Sequence, residues 1–298
     1  MSDFLDRLRR GPCILLDGGL GTELIARGLP PGTPPDLWTL ERSAEVLSVH
    51  REYVQAGSDA IHANTFGANP VRLARYGLQD RVEEVNRAAV RLAREAGAAY
   101  VIADIGPTGE HLPPVGEGDA ARWRDHFERQ AGILAATGLD AFHIETMTDV
   151  REALVALAAL KHAAPGIPVL ASLTFERKPR GFFTIMGDPL GPSLARLQEA
   201  GADAVGANCS ITSFDMRALA EEAITSVVAG PHWGDARLVF QPNAGQPRRV
   251  EGGTRYLQAP REFADDMASL LAEQRVAALG GCCGTDPRFI AALRARMM

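Results

Sequence analysis

The chain is poor in the features that mark whole classes of protein. Aromatic residues fill 6% of its 298 positions, cysteine occurs 4 times, and the formal net charge is -6. So few cysteines in so long a chain cannot staple a disulfide scaffold. With 31 lysine and arginine residues against 37 acids, and no polybasic run, there is no electrostatic footprint for nucleic acid or an anionic membrane. No stretch approaches the roughly 20 apolar residues of a membrane span. The N-terminus, MSDFLDRLRRGPC, is charged throughout and lacks the apolar centre of a secretion signal. These absences predict a soluble, cytoplasmic protein, and 46% hydrophobic residues are enough for an ordinary globular core.

What the chain does have is a rhythm. Short apolar runs recur at 13–19, 59–67, 99–107, 140–146, 168–175, 202–210, 237–245 and 276–284. Segments of helical periodicity lie between them, at 43–56, 80–97, 121–138, 149–164, 192–200, 214–229, 261–274 and 286–297. Asp149 followed by Glu152 has the pattern of a capping box, and Pro165-Gly166 ends that helix. Continuous apolar strands alternating with helices predict a parallel sheet covered by helices. Eight such units predict one domain over residues 1–298, an α/β protein of the (β/α)8 TIM-barrel type. An open, doubly wound sheet competes, but DGGLGTE after the first strand is not a clean G-x-G-x-x-G.

A barrel places its site where the strands end. Asp17, Asn64-Thr65, Asp104, Glu145-Thr146, Cys209, Asn243 and Cys282-Cys283 all stand there, so a shared pocket is expected. Loops 107–119, 176–189 and 244–260 are longer than connections require and read as lids or substrate walls. His62 and His143 lie within strands and read as interior, hydrogen-bonded histidines, while Cys13 precedes its strand end and reads as structural.

Cys209 ends the sixth strand, and Cys282 with Cys283 ends the eighth. Three converging thiolates suit Zn2+ and leave one coordination position open, the pattern of a catalytic site. Glycines at 280, 281 and 284 permit the tight backbone that adjacent ligands need. Three other readings stay open: core filling by Cys209, a vicinal redox disulfide, and a Gly-rich phosphate loop. Three thiolates leave zinc a weak Lewis acid. A substrate thiol at the fourth position, however, would be held as a thiolate nucleophile. Thiol alkylation is the reaction class that uses this.

DGGLGTEL (17–24), ANTFGAN (63–69), DIGPTGE (104–110), GANCS (206–210), PNAG (242–245) and GGCCGT (280–285) together resemble the homocysteine S-methyltransferases. The likeness runs from about residue 12 to about 296, strongest to the homocysteine-binding module of cobalamin-dependent methionine synthases. It implies a (β/α)8 barrel, zinc on Cys209, Cys282 and Cys283, and homocysteine as methyl acceptor. It also implies amino-acid recognition by Asp17 and Glu145, and Asn243 as an oxygen ligand when substrate is absent. Asn64 is expected at the substrate wall. The donor stays open. Betaine-using relatives carry aromatics where this chain has Gly67 and Thr146, although Trp38 resembles their tryptophan. A small sulfonium, or a methyl group carried on a separate corrinoid protein, is the favoured expectation. A zinc- or thiol-binding barrel without catalysis, and an enzyme of a phosphorylated metabolite, are the rival classes.

Overall fold

The computed structural model describes residues 3–229, 236–250 and 253–298. Eight parallel strands form the sheet: β1 (Ile14–Leu15), β2 (Ala60–Ala63), β3 (Tyr100–Ile105), β4 (Ala141–Met147), β5 (Val169–Leu173), β6 (Ala204–Thr212), β7 (Leu238–Asn243) and β8 (Val276–Leu279). Each pairs with its neighbour in chain order, and β1 closes the run by pairing with β8. Between β1 and β2 side chains complete the barrel. Asp59 N donates to Leu15 O at 2.7 Å, Leu15 N to Asp59 Oδ2 at 2.9 Å, and His62 N to Asp17 Oδ2 at 2.9 Å. All eight apolar runs are strands, and every predicted helix is present within a few residues.

The barrel interior is layered by strand parity. Odd strands supply Ile14, Ile102, Leu170 and Val239 to a buried lower cluster, and even strands supply Ala60, Ala141, Ala204 and Ala278. Large and small residues thus alternate around the barrel. Phe4 and Leu8, from helix Asp3–Arg10, join this cluster and plug the lower end. That helix was not expected from its charged sequence; its buried Phe4 and Leu8, four apart, lie on one face. Two residues up the even strands, the same face carries His62, His143, Gly206 and Gly280. Two further on it carries Asn64, Glu145, Asn208 and Cys282. The interior therefore turns polar towards the C-terminal ends.

Two of the three long loops hold structure of their own. Glu176–Lys178 pairs with Gly181–Phe183, and Arg248–Val250 with Gly253–Arg255, each as an antiparallel hairpin. Loop 107–119 is pinned instead, with Trp123 Nε1 donating to Glu110 Oε2 at 2.9 Å. The expected capping box is only half formed. Asp149 accepts from Arg151 N at 2.8 Å, but Glu152 turns away to accept from Thr108 N and Oγ1 at 2.6 and 2.7 Å. Its carboxylate ties the loop after β3 to the next helix, because two donors of that loop lie nearer than the helix terminus it was expected to cap.

Candidate active site

Strand alternation places Asn208 inside and Cys209 outside, yet Cys209 reaches the mouth of the barrel. The reason is backbone: Cys209 and Ser210 have φ of 64° and 58°, and the β6–β7 register breaks between Asn208 and Thr212. Left-handed, non-glycine residues in succession are strained, and such strain collects at functional sites. Thr146, with φ 58°, is a β-branched case of the same strain. Asn208 holds both places together. Its Oδ1 accepts from Thr146 N at 2.7 Å, and its Nδ2 donates to Thr146 Oγ1 at 2.8 Å and lies 3.9 Å from Cys282 Sγ.

The sulfurs of Cys209, Cys282 and Cys283 lie within 4.8 Å of one another, with Cys209 and Cys283 3.8 Å apart. A tetrahedral Zn2+ with sulfur at about 2.3 Å spaces its ligands about 3.8 Å apart, so this donor set fits the ion in kind and in spacing. Hydrogen bonds from the Cys209 and Cys282 thiols hold Cys283 far below the ordinary thiol range. The same bonds, with burial, push Cys282 well above it. All four cysteines are free. Cys13 sits apart at the lower end, pushed up to about 12 by burial and then by Asp59.

The GGCCG turn is held by its own amides. Gly280 N donates to Phe240 O (3.1 Å), Gly281 N to Asp17 O (2.9 Å) and Cys282 N to Pro242 O (2.8 Å). Cys283 N donates to Asn243 Oδ1 and Gly284 N to Thr22 Oγ1, both at 3.1 Å. A phosphate loop needs free amides, and all five here have protein acceptors. Asn243, expected as an oxygen ligand of the metal, accepts the Cys283 amide with one lone pair of its Oδ1. Glycine is required sterically: a Cβ on Gly281 would lie 2.2 Å from Thr285 Oγ1, and one on Gly18 2.3 Å from Thr285 O.

Across the mouth stands a chain of imidazoles and carboxylates. Asp17 Oδ1 meets His62 Nδ1 at 2.6 Å, His62 Nε2 meets His143 Nδ1 at 2.9 Å, and His143 Nε2 meets Ser172 Oγ at 2.8 Å. Both histidines are interior and hydrogen-bonded, as their place in the strands suggests. Burial, and then the charge of Glu145, pushes Asp104 well above the usual carboxylate range. Burial likewise raises Glu145, against the pull of His62. Asp104 Oδ1 and Glu145 Oε1 are buried and accept no hydrogen bond, with Glu145 Oε1 3.5 Å from His143 Nδ1.

A cavity of about 360 Å³ joins the two sides, lined among others by Asn64, Asp104, Glu145, Cys209, Cys282 and Cys283. Asp17 does not line it; only 1% exposed, it lies behind His62. Asn64 lines the wall, with its Nδ2 donating to Pro35 O and Thr39 Oγ1 at 2.8 and 3.0 Å. Among the described residues Phe66 is the only Phe, Tyr or Trp on the wall, which the His62 imidazole also lines, and the Arg72 guanidinium stacks on Phe66 at 5.1 Å. Trp38 packs in the hydrophobic core instead. At Gly67 a Cβ would lie 2.3 Å from Asp36 Oδ2, because the Asp36 carboxylate already accepts from Gly67 N at 2.9 Å. Asn208, Asp36 and Tyr256, whose ring lies against Gly284, received no role from the sequence. For Asn208 a signal existed: it continues the interior face Ala204–Gly206 directly before Cys209.

A (β/α)8 barrel with a trithiol cluster facing paired carboxylates is the class of protein defined so far. The sequence profile of the homocysteine S-methyltransferases matches residues 14–297, and the chain belongs to that family. It is 31% identical to methionine synthase of Mycobacterium tuberculosis, over 97% of this chain and 25% of that protein. It thus spans about a quarter of the length of the mycobacterial enzyme. Betaine–homocysteine S-methyltransferase 1 of Danio rerio is 29% identical over 97% of the chain and 74% of its own length. Among solved structures, the metallated homocysteine methyltransferase MmuM of Escherichia coli superimposes with a TM-score of 0.76 at 26% identity, covering 97% and 98% of the two chains.

Proposed function

We propose that this chain transfers a methyl group to the thiol of homocysteine, giving methionine, with Zn2+ on Cys209, Cys282 and Cys283. The observation that carries this reading is the meeting, in one cavity, of three sulfurs at tetrahedral spacing with two buried carboxylate oxygens that accept no hydrogen bond. Bound zinc would supply acidity to a substrate thiol, holding it as a nucleophilic thiolate near neutral pH. The chain's own residues do the rest. Asp104 and Glu145 accept the substrate's ammonium group, Asn64 forms the wall beside it, and Asn243 fixes Cys283 by accepting its amide.

The donor is a methylated corrinoid protein or a small sulfonium rather than betaine. A quaternary ammonium needs several ring faces, and this wall offers one phenyl ring already covered by a guanidinium. Val115, Ile185, Val250 and Leu257 are exposed on the loops around the mouth and would favour a protein-borne donor. The test is a donor panel on zinc-loaded protein with homocysteine, measuring methionine. Saturable turnover is expected with a corrinoid protein or S-methylmethionine, and turnover at least about tenfold lower with betaine, the loss of one or two ring contacts. No methionine from any donor overturns the reaction; efficient betaine turnover overturns the donor assignment.

A further inference from the structure

The His62–His143 pair has no role in the reaction as stated, yet it fills the interior layer directly beneath it. Two arrangements suit two histidines whose facing nitrogens lie 2.9 Å apart: both bind one metal ion, or one donates a proton to the other. Ring geometry separates them. The ring centroids lie 5.2 Å apart, which exceeds the nitrogen separation by about two ring radii, so the imidazoles meet head-on. Ligands of one ion would instead converge at an angle, bringing the rings closer. The pair therefore meets as hydrogen-bond partners, although their nitrogens and a Glu145 oxygen lie within 4.8 Å of one another.

We propose that His62 is a positioning residue, an interior imidazolium that engages Asp17 and leaves Asp104 and Glu145 as the acceptors of the substrate's ammonium group. This rests on the proposed function, which makes an α-amino thiol the substrate. Asp17 gives both carboxylate oxygens to His62, one to its backbone amide at 2.9 Å and one to Nδ1 at 2.6 Å, and has no surface on the cavity. His62 Nδ1 faces a carboxylate and Nε2 faces a neutral imidazole, so only the doubly protonated ring donates to both. His143 then accepts at Nδ1 and donates from Nε2 to Ser172. The reversed chain, with His62 neutral and Ser172 donating, satisfies the same contacts. It leaves the Asp17 carboxylate buried without a counter-charge, which is costly.

The charged and titratable groups around His62 agree with the first arrangement. Burial opposes its charge, but Asp17 from β1 and Glu145 from β4 outweigh burial and raise it to about 9. His143, from β4, is held well below its ordinary value by burial and by His62. His50, on the helix Ser43–Gln55, is lowered to about 4 by burial and stays neutral. Burial raises both Asp104, from β3, and Glu145 above the usual carboxylate range.

Long-range 1H–15N NMR of histidine-labelled protein without substrate reads the proton positions. At pH 7, His62 is expected to carry protons on both nitrogens and His143 on Nε2 alone, and Asp17→Asn should reduce His62 to one proton. A singly protonated His62 in the wild type, an unchanged pattern in Asp17→Asn, or loss of the proton between the rings on adding Zn2+ would each overturn the proposal. Should Asp17→Asn fail to fold, the wild-type pattern decides alone. Binding is then compared for homocysteine and 4-mercaptobutyrate, its analogue without the amino group. The wild type should prefer homocysteine by about 10- to 100-fold, the worth of a charge-assisted hydrogen bond. Glu145→Gln should erase that preference and Asp17→Asn should retain most of it; equal erasure means that Asp17 contacts the ammonium itself. A wild type that binds neither thiol overturns the proposed acceptor and the ammonium assignment with it, while the proton pattern still decides the state of His62.

Discussion

On the β6–β8 side of the mouth, three sulfurs are gathered by backbone that departs from regular strand. On the β1–β4 side, an acid–imidazole chain is assembled mainly by regular alternation. His62 and Glu145 follow Ala60 and Ala141 in steps of two, with His143 between, and need no special backbone until Thr146. Cys209 needs two left-handed residues and a register break, and GGCCG needs glycines where a Cβ would strike Thr285. The sulfur side is therefore the strained half and depends on the clamp from Asn208. The carboxylate side carries its cost as electrostatics, in acids buried without full partners.

The largest effect expected on the sulfur side is from Cys282→Ser, which should abolish stoichiometric zinc while the protein stays folded, since the lower core is untouched. Metal analysis beside a thermal melt checks this, and zinc retained at one per chain would break the assignment. The lower plug should behave in the opposite way. Phe4→Ala should cost about 3–5 kcal/mol in denaturant unfolding and leave metal affinity unchanged. A matching loss of metal would show that the layers are not independent. Asn208→Ala joins the two sides: chelator competition should find zinc affinity down about 10- to 100-fold, the usual worth of a group that orients a ligand. An unchanged affinity would make Asn208 a strut for Thr146 only.

The smallest effect is expected on the carboxylate side, at its rim. Burial raises Asp36 to about 6, opposed by the amides it accepts from and by Arg72. An acid whose value is raised on folding binds its proton more tightly in the native state. Its contribution is therefore greatest below its unfolded value, near 3.8, and declines as pH rises through about 6. Unfolding free energy should fall across that window by up to about 1.4 kcal/mol per pH unit on this account, and Asp36→Asn should flatten the slope. A slope that survives the substitution would assign it to Asp104 and Glu145 instead, which are raised in the same direction.

Much of this molecule was legible in one dimension. Strand and helix periods come from short-range sterics and burial, so eight apolar runs separated by amphipathic segments were enough to predict the barrel and to place the unusual residues at its rim. The trithiol cluster was legible because cysteines and glycines are rare enough to stand out as a motif. Local pattern did not reach the contacts between distant segments. Asn208 looked like a neighbour of Cys209, and only the fold brings Thr146 and Cys282 to its amide, 62 and 74 residues away in the chain. Asp17 reads as an acid at a strand end in any linear scan. Its place behind His62 follows from β2 lying beside β1, where the pairing of main chains gives out and a carboxylate completes the seam. Asn243 likewise gains its partner only in the fold, where the approach of β7 to the GGCCG turn sets its oxygen on the Cys283 amide. Residue type and spacing determine which groups are available. Which of them face substrate, and which face one another, is a matter of competing partners within about 3 Å, and only the closed barrel supplies those partners.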